Sequence, residues 1–192
     1  MLDVGQGDGS FIRTEAGYTL FVDGGSSNIS KVGQYRILPF LKYNGAREID
    51  YWFVSHTDKD HISGLEELLA LHYPIGTLVF SEITREEETC LRLQQLAEKN
   101  GTRLLFLEDK DQLQIDQAVL TIYLPEDDSG DKNEDSLVIL YEERGFLALL
   151  TGDIGEIRER ELAAEKSLQN IDFYKAAHHA SNGSNTEAFL QR

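Results

Sequence analysis

Cysteine is nearly absent from this chain of 192 residues. The single Cys90 excludes an internal disulfide and a cysteine-built zinc site. Proline is scarce: Pro39, Pro74 and Pro125 are scattered and mark no linker. No apolar run approaches the roughly 18 residues of a membrane span. The N-terminal Met1-Leu2-Asp3-Val4-Gly5 has neither a basic region nor a long apolar one, so no signal peptide is expected. Basic residues are outnumbered, 18 against 34 acidic ones, for a formal charge of −16. That balance repels phosphate backbones at long range and disfavours a general binder of nucleic acid or anionic membrane. It leaves room for a nucleic-acid enzyme that meets its substrate through bound cations or a partner subunit. The apolar share of 41% and charged share of 27% are those of a globular protein. The length predicts one compact domain over 1–192.

The first third reads as short strands joined by Gly-rich turns. Ser10–Thr14 and Tyr18–Val22 flank Glu15-Ala16-Gly17, a hairpin pattern. Tyr51–Val54 is a continuous apolar run of the buried-strand kind. Leu65, Leu68, Leu69 and Leu71 predict a helix over Ser63–His72. Thr84 with Glu87 has capping-box spacing, and the helix it opens should stop at Asn100-Gly101. Strands are expected at Arg103–Leu107, Val119–Leu124, Ser136–Tyr141 and Phe146–Leu150, then a surface helix over Glu156–Leu168 and a strand over Ile171–Ala176. Hairpins interleaved with helices predict mixed sheets with helices packed outside. The acidic stretch Glu126–Asp135 reads as a solvated loop, since the EF-hand calcium spacing is absent. Tyr35, Tyr43, Trp52 and Tyr73 could stack on bases. Their setting within apolar runs or beside helices favours core packing.

The chemistry concentrates in a few segments. His56-Thr57-Asp58-Lys59-Asp60-His61 puts four potential ligands on a loop between a buried strand and a helix. Imidazoles with carboxylates are good ligands for divalent metals. His178-His179 and Thr151-Gly152-Asp153 also follow apolar strands, where ligands from several strand ends can converge. Asp23-Gly24-Gly25 reads as a turn whose Asp could orient a ligand histidine. Asp3-Val4-Gly5-Gln6-Gly7-Asp8-Gly9 permits a tight turn but lacks the Walker spacing and its Lys.

In these segments the chain resembles the metallo-β-lactamase superfamily, and within it the hydrolase domain of ComEC-type DNA-uptake competence proteins. The likeness rests on Asp3–Asp8, Ser55–His61, Asn133–Val138, Thr151–Ile154 and Lys175–Ser181, in the family's order. It implies an α+β fold, an αββα sandwich with metals at one edge and its C-terminal end cut short, which would leave the last ligand loop poorly supported. It implies two divalent ions, zinc or manganese with magnesium as a further option. Asp60, His61 and His178 would hold one ion, Asp153 would bridge, and His56 and Asp58 would hold the other. Asp23, Asp8, Asn133 and Ser136 would support the ligands. Asp60 and His179 are the candidate catalytic groups, with His179 either a ligand or a proton donor. A third histidine for the His56 site is missing, since His72 falls in a helix of the sequence reading. An oxygen-rich site of that kind tilts towards Mn²⁺ or Mg²⁺.

The resemblance implies a metal-dependent phosphodiesterase or nuclease that degrades one DNA strand during uptake. It implies a membrane channel domain as partner, in the same or another chain, and a position on the extracytoplasmic face of a bacterial membrane. No direct membrane insertion by this chain is expected. Two other readings stand beside it: a hydrolase of the same fold acting on a small phosphodiester, phosphocholine ester or lactone, and a non-catalytic metal-binding assembly domain. Steep salt dependence would mark a DNA substrate, and metal without turnover would mark the assembly domain.

Overall fold

The computed structural model describes residues 1–126 and 128–191. It divides into two compact units, Met1–Phe106 and Leu107–Arg192.

In the first unit the hairpin forms as the sequence predicts. Strand β1 (Gly9–Arg13) pairs antiparallel with β2 (Thr19–Asp23). A π-helical turn at Gly33–Ile37 then runs into helix α1 (Leu38–Tyr43). Next come β3 (Ile49–Phe53), α2 (Lys59–Ala70), β4 (Ile75–Ser81), α3 (Glu88–Asn100) and β5 (Arg103–Leu107). The sheet order is β1-β2-β3-β4-β5, with β2, β3 and β4 parallel. Phe21 stacks on Trp52 with ring centroids 4.3 Å apart, and Leu65, Leu68, Leu78, Phe80 and Leu93 complete the core. Each such side chain contributes about 1.5–3 kcal/mol by leaving water.

The second unit holds β6 (Gln112–Ile115), β7 (Ala118–Tyr123), β8 (Val138–Glu143), β9 (Phe146–Leu150), α4 (Glu156–Leu162), β10 (Phe173–Lys175) and α5 (Glu187–Leu190). Strands β6 to β9 are antiparallel neighbours, and β10 adds to β9 in parallel. Tyr123, Val138, Leu140, Leu149, Ile154, Leu162 and Phe189 pack into its core. Both sheets are therefore mixed, as the interleaving implied.

Several local expectations change. Helix α2 begins at Lys59, so Lys59, Asp60 and His61 form its first turn rather than a loop. Those charged residues carry no apolar periodicity, which hid them from a pattern reading. The helix ends at Ala70, and His72 lies beyond it at φ 55°. The Thr84 capping box does not form. Thr84 Oγ1 donates to the Ser81 carbonyl at 2.9 Å, and Glu87 is itself the residue before α3 and accepts from the Thr57 hydroxyl. Gly101 does end that helix, in a left-handed conformation at φ 72°. The surface helix over 156–168 splits into α4 and a 3₁₀ turn at Lys166–Leu168. Trp52 and Tyr73 are core residues, but Tyr35 and Tyr43 are 60% and 91% exposed. In the acidic stretch, Asp127 lies outside the described residues; Asp128, Asp131 and Asp135 accept backbone amides in successive turns.

Candidate functional site

The candidate ligands emerge at the C-terminal ends of the parallel strands. Asp23 is the last residue of β2, and Ser55 and His56 follow β3. In the second unit Asp153 follows β9, and His178 and His179 follow β10. A parallel pair brings consecutive strand ends to one edge, and side chains leaving that edge meet without disturbing the ladder.

In the first unit, Asp23, Ser55, His56 and His61 form one buried network. Asp23 accepts the Ser55 amide at 2.8 Å and the Ser55 hydroxyl at 3.0 Å. Its Oδ2 also lies 3.0 Å from His61 Nδ1. Burial pulls the Asp23 carboxyl upward. The His61 charge and hydrogen bond, the Ser55 amide and the His56 charge outweigh it and hold the group below its ordinary value. An ionised carboxylate only accepts, so His61 Nδ1 carries the proton. The single Ser55 hydroxyl hydrogen goes to Asp23, so Ser55 Oγ accepts from His56 Nδ1 at 3.1 Å. The network thereby puts a proton on Nδ1 of both rings, the arrangement in which Nε2 is the ligand atom of a coordinating imidazole. The rings lie 4.0 Å apart between centroids.

Asp8 comes to the other side of His61, with Oδ2 3.9 Å from Nε2. Its backbone is held by two hydrogen bonds. Asp8 N donates to the Asp60 carbonyl at 3.1 Å, and Gly25 N donates to the Asp8 carbonyl at 3.0 Å. Both flanking turns need glycine. A Cβ on Gly7 would sit 2.2 Å from the Gly25 carbonyl oxygen, and one on Gly25 would sit 2.6 Å from the His61 amide nitrogen. The opening motif is thus a backbone wedge that delivers a carboxylate to a histidine. Among the sequence-predicted ligands of this unit, His56 and His61 are buried, Asp60 is half-buried, and Asp58 is exposed at the start of α2.

In the second unit Asp153 is buried, and its amide donates to the buried Ser136 hydroxyl at 3.2 Å. Asp153 Oδ2 lies 3.2 Å from His179 Nε2. The buried Lys175 places its ammonium 3.6 Å from Asp153 Oδ1 and donates to the Gly152 carbonyl at 2.7 Å. Asn133 accepts the Ser136 amide through its carbonyl at 3.1 Å, which ties its main chain to this network. His178 and His179 adopt left-handed backbone at φ 48° and 51°, followed by Ala180 at 62°. Three consecutive non-glycine residues there are strained by about 1 kcal/mol or more each. His178 N is held by the Gly152 carbonyl at 3.2 Å.

The last ligand loop is well tied, contrary to the sequence expectation. Asn185 Oδ1 accepts the Ala177 amide at 2.9 Å, and its Nδ2 donates to the Ala177 carbonyl at 2.9 Å. The buried Glu159 carboxylate accepts the amides of Asn185 and Thr186. Burial pushes the Tyr174 hydroxyl up to about 12, so it stays protonated and donates to Asn185 Oδ1. Ser55, Lys175 and Glu159 were not singled out from sequence. The position of Ser55 directly before His56 and of Lys175 just before the histidine pair was the one available signal.

The donor chemistry of each unit fits a divalent cation: Asp8 with His61 in the first, Asp153 with His179 in the second, all nitrogen and carboxylate oxygen. In each, the proton or charge on the far side of a ligand is fixed by a buried neighbour.

The model of the metallo-β-lactamase superfamily matches residues 2–192. ComE operon protein 3 of Bacillus subtilis (strain 168) is 31% identical over an alignment 206 positions long, covering 100% of this chain and 26% of that protein. The chain therefore spans about a quarter of that relative's length. Among solved structures, the E377D mutant of CmlA β-hydroxylase, an enzyme of Streptomyces venezuelae, superposes with a TM-score of 0.62 at 18% identity, over 91% of this chain and 34% of that one. Zn²⁺-bound PqqB of Methylobacterium extorquens gives 0.58 at 12% identity, over 85% and 57%. These two likenesses show the fold. Among the described residues no helix is long and apolar enough to cross a membrane.

Proposed function

The chain belongs to the metallo-β-lactamase superfamily, most of whose members are hydrolases, and from that premise we propose that it is a metal-dependent phosphodiesterase that cuts one DNA strand during uptake. The observation that carries the reading is the Asp23–Ser55 network, which fixes both His56 and His61 as Nε2 donors in a buried setting. A protein without a metal to bind has little reason to bury two imidazoles on one serine and one carboxylate. The likeness to ComE operon protein 3 supports the link to competence and to DNA. The family match runs through both units and supports a single hydrolase domain over 1–192.

In this reading His56, Asp58, Asp60 and His61 are the metal ligands of the first unit, Asp153 and His178 or His179 are those of the second, and the ions are divalent, zinc or manganese. Asp8 joins them beside His61. Bound divalent ions supply Lewis acidity towards water and the phosphodiester. Asp23 and Ser55 keep the ring protons on Nδ1. Ser136 and Lys175 hold the Asp153 turn and its charge. Where His178 is the ligand, His179 Nε2, 3.2 Å from Asp153 Oδ2, is the proton donor to the leaving oxygen, and Asp60 is the second candidate for proton transfer. The partner is a membrane channel domain, in the same or another chain, on the extracytoplasmic face of the membrane.

The test is bound metal and Mn²⁺-dependent cleavage of single-stranded DNA, measured for the wild type and for His61→Ala. Bound metal with cleavage that disappears in the variant is the expected result. Metal binding without DNA cleavage, but with hydrolysis of a small phosphodiester or lactone, would replace the DNA substrate. No metal uptake would overturn the reading.

A further inference from the structure

Positions 24–47 contain no Asp or Glu, in a chain with 34 of them. The same segment carries Lys31, Arg36, Lys42 and Arg47, all exposed. It folds as the π-helical turn and α1, and it presents Tyr35 and Tyr43 to solvent. Lys31 Nζ sits 6.0 Å from the Tyr35 ring centroid. Arg36 pairs with the exposed Asp3 at 3.1 Å. The nearest acid on the neighbouring helix, Glu67, accepts the Gln34 amide at 2.9 Å. The strip is therefore a local reversal of the protein's charge, set with two uncovered aromatic faces.

From this we infer that the Lys31–Arg47 face docks single-stranded DNA, its phosphates on the four cations and its bases on Tyr35 and Tyr43. The inference deepens the proposed function and rests on it for the identity of the strand. Three observations favour this occupant. Base–aromatic stacking needs exposed rings, and a core role is excluded for a residue as open as Tyr43. Charge complementarity selects a polyanion, since the rest of the chain would repel one. A membrane surface would call for a broad apolar face, whereas Ile37 and Leu41 of this segment are buried. The location also suits a substrate strand. The turn packs so closely on α2 that a Cβ on Gly33 would sit 2.5 Å from the Gly64 carbonyl oxygen, and α2 carries Asp60 and His61 in its first turn.

The experiment measures binding of a fluorescent oligothymidylate by anisotropy in chelator, and cleavage of the same oligomer with Mn²⁺. It uses the wild type, a Tyr35→Ser/Tyr43→Ser variant and a Lys31→Gln/Lys42→Gln/Arg47→Gln variant. Hydrolysis of bis(p-nitrophenyl) phosphate serves as a control that needs no strand. The tyrosine pair should weaken binding by about tenfold or more and raise KM for DNA, with the small ester turned over as before. The cation variant should lower the slope of log K against log salt by about 2. If DNA is cut but both variants bind and cut like the wild type, the docking face is overturned and the nuclease reading stands. If the wild type hydrolyses only the small ester and binds no oligomer, the DNA reading fails and the docking face with it. Binding of phosphatidylserine vesicles through the strip, without oligomer binding, would likewise overturn it in favour of a membrane contact.

Discussion

The Asp23 carboxylate lies 3.0 Å from His61 Nδ1, and both side chains are buried. This contact decides which nitrogen of His61 faces outward. Asp23→Asn keeps the shape but replaces a carboxylate that accepts three donors with an amide that carries donors of its own. Metal affinity should fall about 10–100-fold, as for other partners behind a ligand histidine. Isothermal titration with Zn²⁺ or Mn²⁺, alongside circular dichroism to confirm folding, checks it. Unchanged affinity would remove Asp23 from the metal chemistry.

Ala180 sits at φ 62°, directly after two left-handed histidines. Ala180→Gly should stabilise the protein by about 0.5–1 kcal/mol, because glycine meets no Cβ penalty there. The reverse change has a matched position. Gly101 ends α3 at φ 72° with open space around a would-be Cβ, so Gly101→Ala should cost about 1 kcal/mol from backbone strain alone. Urea midpoints at constant m would report both.

Glu159 is buried and takes the amides of Asn185 and Thr186. Glu159→Gln weakens a charge-assisted clasp and turns an amide group towards two donors. A loss of about 1.5–3 kcal/mol is expected. Hydrogen exchange at Asn185 and Thr186 should accelerate by at least the same free energy as global unfolding. Acceleration confined to distant segments would refute the clasp.

Lys175 buries its ammonium between the Gly152 carbonyl and the Asp153 carboxylate. Lys175→Met removes one of the cations facing that buried carboxylate, at a cost of about 3 kcal/mol in chelator. Saturating Mn²⁺ should recover a larger part of the stability in the variant than it adds to the wild type, since a cation then replaces a cation. Equal metal-induced shifts in thermal midpoint would count against Lys175 as the counter-charge of Asp153.

The parts of the fold that show in the sequence are those fixed by local chemistry. The β1–β2 hairpin follows from its Gly17 turn, β5 and β9 from their apolar runs, and the end of α3 from Gly101. Strand β6 was missed because Gln112 and Gln114 leave it two apolar residues. Helix α1 was missed because it is short, contains Pro39 and grows out of a π-helical turn. Among candidate site residues, the histidines and Asp153 announced themselves by position after strands. The roles of Ser55, Lys175 and Glu159 did not, because each is set by partners tens of residues away, such as Asp23 for Ser55 and Asn185 for Glu159. Glu87 shows the same limit from the other side, since Thr57 claims it from a capping box that its spacing allowed.

Gly7 and Gly25 have no chemistry of their own, yet each faces backbone where a methyl group would stand. In a saturation mutagenesis map they should appear as blank columns, as intolerant as any metal ligand. The remedy that rescues a crowded core, trimming the neighbouring side chain, is closed to them, because what crowds them is main chain: that of Gly25 and Asp60 around Gly7, and that of Lys59, Asp60 and His61 around Gly25. Hereditary change can therefore retune the candidate ligands far more easily than it can replace the two residues that have no side chain to retune.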